Sequence, residues 1–256
     1  LPLFSRVEVV IAVGQAQAAE ADAGDVAVGL LGVDAHEAAD RAGKAGLGPQ
    51  HRQLVERGLD AVMVYQETYQ AATYAKHHTR GKKQDFAYRL ATPDRVARAG
   101  IDKIGLGVLL GLDDWRLDAL LMGHHLDYLE RHYWRTRFSI SLPRLRPCTG
   151  GITPKVHLTD LGLVQMICAF RLFNQQLDIS LSTREAPSLR DNLLPLGITQ
   201  MSAGSSTQPG GYQAPDSQLD QFKISDERTV EQVISQMRLK GFNPVFKDWE
   251  SAWIAC

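Results

Sequence analysis

From residue 53 onward the chain switches between two hydrophobic periods. Short apolar runs with strand character fall at residues 60–64, 103–109, 139–142, 178–181 and 198–201, and the intervals between them carry apolar residues at helical spacing. Residues 113–133 predict a long amphipathic helix with Leu117, Leu120, Leu121 and Leu129 on its apolar stripe. Thr92-Pro93-Asp94 predicts a helix start, with Thr92 as the N-cap and Pro93 in the first turn. Further helices are expected at 159–172 and at 229–239, the latter stopped by Gly241. Strand and helix alternating every 30 to 40 residues or so predicts β/α units on a parallel sheet. The expected fold class is therefore α/β, a (β/α)8 TIM-type barrel that is incomplete, with about strands 4–8 present.

Residues 1–50 read differently. Thirty of these 50 residues are Ala, Gly, Val or Asp, and seven glycines from Gly14 to Gly48 interrupt each candidate helix. With Glu added, 33 of the 50 are encoded by codons that begin with G. Such a bias is expected when a GC-rich gene is read out of frame. An Ala/Gly-rich extension of low order is the alternative, and on either reading the segment is not expected to supply strands. The expected organisation is a leader over 1–50 and the C-terminal part of a barrel over 51–256.

Composition narrows the classes of function. The net charge of −1 over 256 residues gives no bulk attraction to nucleic acid or to an anionic membrane. No apolar run reaches the roughly 18 residues needed to cross a bilayer, and no basic segment precedes an apolar one at Leu1, so a cytoplasmic location is expected. Cys148, Cys168 and Cys256 are too scattered for a disulfide framework or a closely spaced metal set.

The chemistry gathers at strand ends. Glu67 follows the first run and could accept hydrogen bonds from a ribose or an amine, or could cap the next helix. Gly105, Gly107 and Gly111 would let a flat ring approach the backbone, or relieve crowding within the fold. Arg144 and Arg146 flank Leu145 and suit a carboxylate, with ion pairing to a neighbouring acid as the alternative. Arg184 and Glu185 leave the fourth run, and Ser202 and Ser205 leave the fifth. A guanidinium fork with a nearby hydroxyl can clamp an amino-acid carboxylate, while the acid can receive its ammonium. The 208–212 segment predicts a tight turn. His77-His78 and His124-His125 read as surface or second-layer residues, since adjacent helical side chains diverge by about 100 degrees. Cys168 reads as a small buried hydrophobe.

These residues sit in longer segments: LDAVMVYQETY (59–69), HHTRGKKQDFAYRL (77–90), AGIDKIGLGVLLGL (99–112), SISLPRLRPCTGG (139–151), LVQMICAFRL (163–172), ISLSTRE (179–185), ITQMSAGSSTQPGGY (198–212) and KDW (247–249). In order and spacing they closely resemble the 2-iminoacetate synthase family, the radical S-adenosylmethionine tyrosine lyases of thiamine biosynthesis. The resemblance covers roughly residues 52–251. It implies a radical SAM barrel in which a 4Fe-4S cluster cleaves S-adenosylmethionine, and tyrosine is split between Cα and Cβ into p-cresol and dehydroglycine (2-iminoacetate). It further implies thiazole synthase as protein partner and a reductant such as flavodoxin or ferredoxin. By resemblance, Arg184 and Ser202 take the substrate carboxylate and Arg144 and Arg146 line the pocket. Glu67 and the 105–111 strand lie where S-adenosylmethionine is held.

One departure is as informative. The family carries its cluster on a Cys-x-x-x-Cys-x-x-Cys loop, and these 256 residues contain no such motif. The chain as given is expected to be inactive alone. A sibling aromatic-amino-acid lyase, such as the iron hydrogenase maturase, and a catalytically silent fragment are the rival readings.

Overall fold

A computed structural model describes residues 8–13, 55, 59, 61–146, 152–205 and 224–246. In chain order the strands are β1 (Glu8–Val13), β2 (Ala61–Glu67), β3 (Lys103–Val108), β4 (Arg137–Ser141), β5 (Asp178–Leu181), β6 (Gln200–Ala203) and β7 (Asn243–Val245). The helices are α1 (Ala71–His77), α2 (Phe86–Leu90), α3 (Thr92–Arg98), α4 (Trp115–His132), α5 (Asp160–Phe173), α6 (Pro187–Leu193) and α7 (Val230–Leu239). The chain forms two compact units, Ala16–Leu145 with Ile152–Leu158, and Leu1–Gln15 with Arg146–Gly151 and Thr159–Cys256.

In the first unit β2, β3 and β4 pair in parallel, with Val64, Leu106 and Ile140 in one row and Tyr65, Gly107 and Ser141 in the next. Val62, Val64, Ile104, Leu106, Phe138 and Ile140 are buried. Helix α3 packs on β2 and β3, and α4 packs on β3 and β4. Every residue of β3, and every residue of β4 except Arg137, is buried, which suits parallel strands covered by helices. Helix α4 starts at Asp114, whose carboxylate accepts from the Arg116 N–H at 2.9 Å. Its buried face differs from the expected stripe. Trp115, Asp118, Met122, Leu126 and Leu129 turn inward, whereas Leu117 and Leu120 are 41% and 58% exposed. Thr92 is the first residue of α3 rather than its cap, and its hydroxyl donates to the Tyr88 carbonyl at 3.0 Å.

In the second unit the parallel pairs are β5 with β6, β6 with β1, and β1 with β7. Val10 is level with Gln200, Ala12 with Ser202, and Glu8 with Asn243. The expectation that residues 1–50 supply no strand is thus corrected by β1, and β7 is an unforeseen strand. The β1 run EVVIAV is rich in β-branched residues, a strand signal diluted by the Ala/Gly-rich sequence around it. Pro244 is tolerated because β7 pairs on one side only among the described residues.

Helix α5 begins at Thr159, whose hydroxyl accepts from the Gly162 N–H, and buries Leu163, Met166, Ile167 and Phe170 at successive helical steps. Helix α7 opens with a reciprocal capping box between Thr229 and Gln232. It closes as predicted at Gly241, which has φ +82°. The Phe242 N–H reaches the Met237 carbonyl and the Gly241 N–H that of Arg238, both at 3.0 Å.

Candidate active site

Glu67 sits at the exit of β2 with φ +67°, the only non-glycine residue with positive φ among the described residues. The β2–β3 register shifts between Tyr65 and Glu67. This conformation costs on the order of 1 to 3 kcal/mol, and it persists where surrounding contacts overdetermine it. Those contacts are present. Arg89 holds the Tyr65 carbonyl through Nε at 3.2 Å and Nη2 at 2.7 Å, and the Leu109 N–H donates to the Glu67 carbonyl at 2.8 Å. Asp118 Oδ1 accepts from the Thr68 hydroxyl and from the Tyr69 N–H, each at 2.9 Å. Two turns further along α4, His125 Nδ1 meets the Tyr69 hydroxyl at 2.9 Å.

One helix therefore grips the two residues after Glu67. His125 reaches only the Tyr69 hydroxyl among these groups, and neither Arg89 nor Asp118 was expected from the sequence. The signal for Asp118 was available in its spacing, since it shares the face of Trp115, Met122 and Leu126, where a carboxylate needs donors. Burial raises the Asp118 pKa against the opposing effect of the hydrogen bonds that its carboxylate accepts. Burial also lowers that of His125, with the negative charge of Asp94 acting the other way. The folded state therefore favours neutral His125, so stability present above pH 6.5 or so is expected to fall as the pH drops below it. His125→Gln should flatten that slope below about pH 6.5, measured by urea unfolding at several pH values. An unchanged slope would assign the effect to other groups.

The glycines of β3 make room for the protein itself. A Cβ on Gly105 would overlap Met63 Sδ, and one on Gly107 would lie 2.5 Å from the Tyr65 ring and 3.1 Å from the Ser141 carbonyl. Their upper surface is thus covered by Met63 and Tyr65, and it is not an open cradle for a flat ring. Gly111 has φ +120°, and its carbonyl accepts from the Lys155 N–H at 2.8 Å. Lys155 Nζ and the Thr73 hydroxyl both donate to Asp113, whose carboxyl lies below the usual range chiefly through those two bonds. Arg144 belongs to this unit, where Nη1 donates to the Leu158 carbonyl at 3.1 Å.

In the second unit Arg146 and Glu185 form an ion pair at 3.0 Å, with Glu185 nearly inaccessible. This is the pairing the sequence left open for Arg146. Arg184 is half-buried beyond β5, and its N–H donates to the Ser182 hydroxyl at 3.3 Å. Ser202 lies on β6 and Ser205 just beyond Gly204, both half-buried. A charged network missed by sequence reading lies beneath them. Arg190, fully buried on α6, donates through Nη1 to Asp226 and through Nη2 to the Ser202 carbonyl. Arg228 donates to Asp226 through Nε at 2.9 Å and Nη2 at 2.7 Å, and forks onto Asp191 at 3.0 Å to each oxygen. The N–H groups of Ser225 and Asp226 donate to the Thr183 carbonyl at 3.0 and 3.1 Å. The 208–212 turn, Cys148 and Cys256 lie outside the described residues.

Among the described residues no three His, Cys, Asp or Glu side chains gather as a metal site, and Cys168 is a free thiol on α5, half-buried rather than fully so. No described helix is long and apolar enough to cross a membrane.

In structure the chain is similar to the FeFe-hydrogenase maturase HydG. The TM-score is 0.72 at 33% identity, covering 78% of this chain and 44% of that one. HydG from Carboxydothermus hydrogenoformans gives 0.71 at 31% identity, over 80% and 46%. Methylornithine synthase, at 20% identity and a TM-score of 0.57 over 77% of this chain and 56% of that one, shares the fold. The fold class is thus the α/β barrel of the radical SAM kind, represented in part. Residues 141–243 match the Biotin and Thiamin Synthesis associated domain. In sequence the chain is similar to 2-iminoacetate synthase of Escherichia coli (strain K12), 55% identical over 203 residues, which are 79% of this chain and 54% of that protein. The Salmonella typhimurium (strain LT2) protein of the same name is 53% identical over 80% and 54%. The chain spans about half the length of these relatives and resembles their C-terminal portion.

Proposed function

We propose that residues 51–256 are the C-terminal part of a tyrosine lyase of the 2-iminoacetate synthase type. The observation that carries this reading is the 55% identity over 203 residues, which exceeds the 33% identity to the hydrogenase maturase. In the complete enzyme the substrate would be tyrosine, cleaved between Cα and Cβ to p-cresol and 2-iminoacetate for thiamine, with thiazole synthase receiving the product. S-adenosylmethionine and a 4Fe-4S cluster, reduced by a flavodoxin or ferredoxin, would supply the radical.

This chain's own contribution is binding and orientation. Arg184 and the hydroxyls of Ser202 and Ser205 hold the tyrosine carboxylate, and the Arg146–Glu185 pair fixes the segment that carries Arg184. Within the first unit Arg144 is a candidate ligand-binding group. In the same unit Glu67, Gly105, Gly107 and Gly111 are the candidate residues for binding S-adenosylmethionine. A fixed, dry substrate is what radical chemistry requires.

The test begins with the encoding DNA, read about 600 bases upstream of the His51 codon in three frames, at roughly 30 residues per β/α unit. A Cys-x-x-x-Cys-x-x-Cys loop is expected there. Supplied with iron, sulfide, S-adenosylmethionine, tyrosine and reductant, the present chain should yield no p-cresol, and a chain extended by that loop should yield it. Product from the present chain would sink the inactivity reading, and none from the extended chain would sink the lyase reading.

A further inference from the structure

We infer that Asp226 and Arg190 are positioning residues that set the spacing between Arg184 and Ser202. The inference rests on the carboxylate role given to those two residues above. Asp226 is 1% exposed and Arg190 is fully buried, so neither touches a substrate. Their bonds converge on the two strand exits that carry the candidate groups. On one side, the Ser225 and Asp226 N–H groups hold the carbonyl of Thr183, the residue before Arg184. On the other, Arg190 connects Asp226 to the carbonyl of Ser202 itself.

The geometry makes this a single clamp rather than two separate contacts. Arg190 spends one nitrogen on Asp226 and another on the β6 carbonyl, so the distance from the 225–228 segment to Ser202 is set by one planar guanidinium. Arg228 closes the other side, tying Asp226 to Asp191 on the same helix as Arg190. Lysine at 190 cannot reproduce this, since it offers a point charge and no fork. A bidentate carboxylate site tolerates little misplacement, and an error of about 1 Å can cost on the order of 100-fold.

The experiment compares the full chain with Asp226→Asn and the milder Asp191→Asn, which loosens only Arg228. Amide hydrogen exchange is read at 183–185 and 202–204, and affinities for tyrosine and for tyramine, which lacks the carboxylate, are measured alongside. Asp226→Asn is expected to speed exchange at both strand exits together by at least tenfold and to weaken tyrosine at least tenfold while sparing tyramine. Asp191→Asn should show the same pattern at smaller amplitude, which keeps the test decisive if Asp226→Asn fails to fold. Exchange that rises only at 225–228, or equal weakening of both ligands, overturns the clamp. If the unaltered chain holds neither ligand, the substrate reading fails for this chain, and the exchange data still decide the clamp.

Discussion

Asp226→Ala is expected to destabilise the second unit by about 3 to 5 kcal/mol, the cost of leaving a buried charge without its partner. Arg190 has no exposed surface, and its Nε has no hydrogen-bond partner among the described residues, so removal of Asp226 would strand a guanidinium that water cannot reach. The effect should appear as a lower denaturation midpoint for this unit, and a loss under about 1 kcal/mol would show that solvent enters easily. The pair also predicts acid sensitivity. Burial works against the Asp226 charge, but Arg228 and Arg190 outweigh it and hold the carboxyl below its ordinary pKa. Stability from this carboxylate is thus fully present above about pH 4 and is lost as the pH falls further. Asp226→Asn should remove that acid-dependent component while lowering stability at neutral pH.

Leu126→Ala and Leu120→Ala should differ sharply although both residues lie on α4. Leu126 is completely buried where the helix meets β3 and β4, so its truncation should cost about 2 to 5 kcal/mol. Leu120 is 58% exposed, and its truncation should stay within about 0.5 kcal/mol. Urea unfolding of the two variants makes the comparison, and similar losses would mean that the Leu117–Leu120 face is covered by something else.

The same helix shows what the sequence could and could not reveal. Its limits were legible to within two residues at each end, because Asp114 is a good N-cap and the apolar content is high. Its inward face was legible only in part, since Leu129 turns inward as expected whereas Leu117 and Leu120 are exposed and Trp115 and Met122 share the buried stripe with Asp118. Strands β2 to β6 were legible from their apolar runs, with no end shifted by more than three residues and β5 matched at both ends. Strand β1 was hidden by the surrounding composition, and β7 by its brevity and Pro244.

Among the candidate site residues, polar clusters at strand ends marked Arg184, Glu185 and Ser202 correctly as loop and strand-end groups. What sequence could not convey was partnership: that Glu185 is matched by Arg146, that the space over Gly105 and Gly107 is filled by Met63 and Tyr65, and that Ser202 hangs from Arg190. Each of these depends on contacts between residues 12 to 42 positions apart, which no local pattern records.

The placement of β1 has a consequence for synthesis. Its neighbours, β6 and β7, begin at Gln200 and Asn243, so a ribosome must add nearly the whole chain before the first strand can pair. At roughly 5 to 20 residues per second, the wait from Val13 to Gln200 is about 10 to 40 s. Throughout that interval the β-branched segment is without either of the strands that it pairs with in the folded sheet.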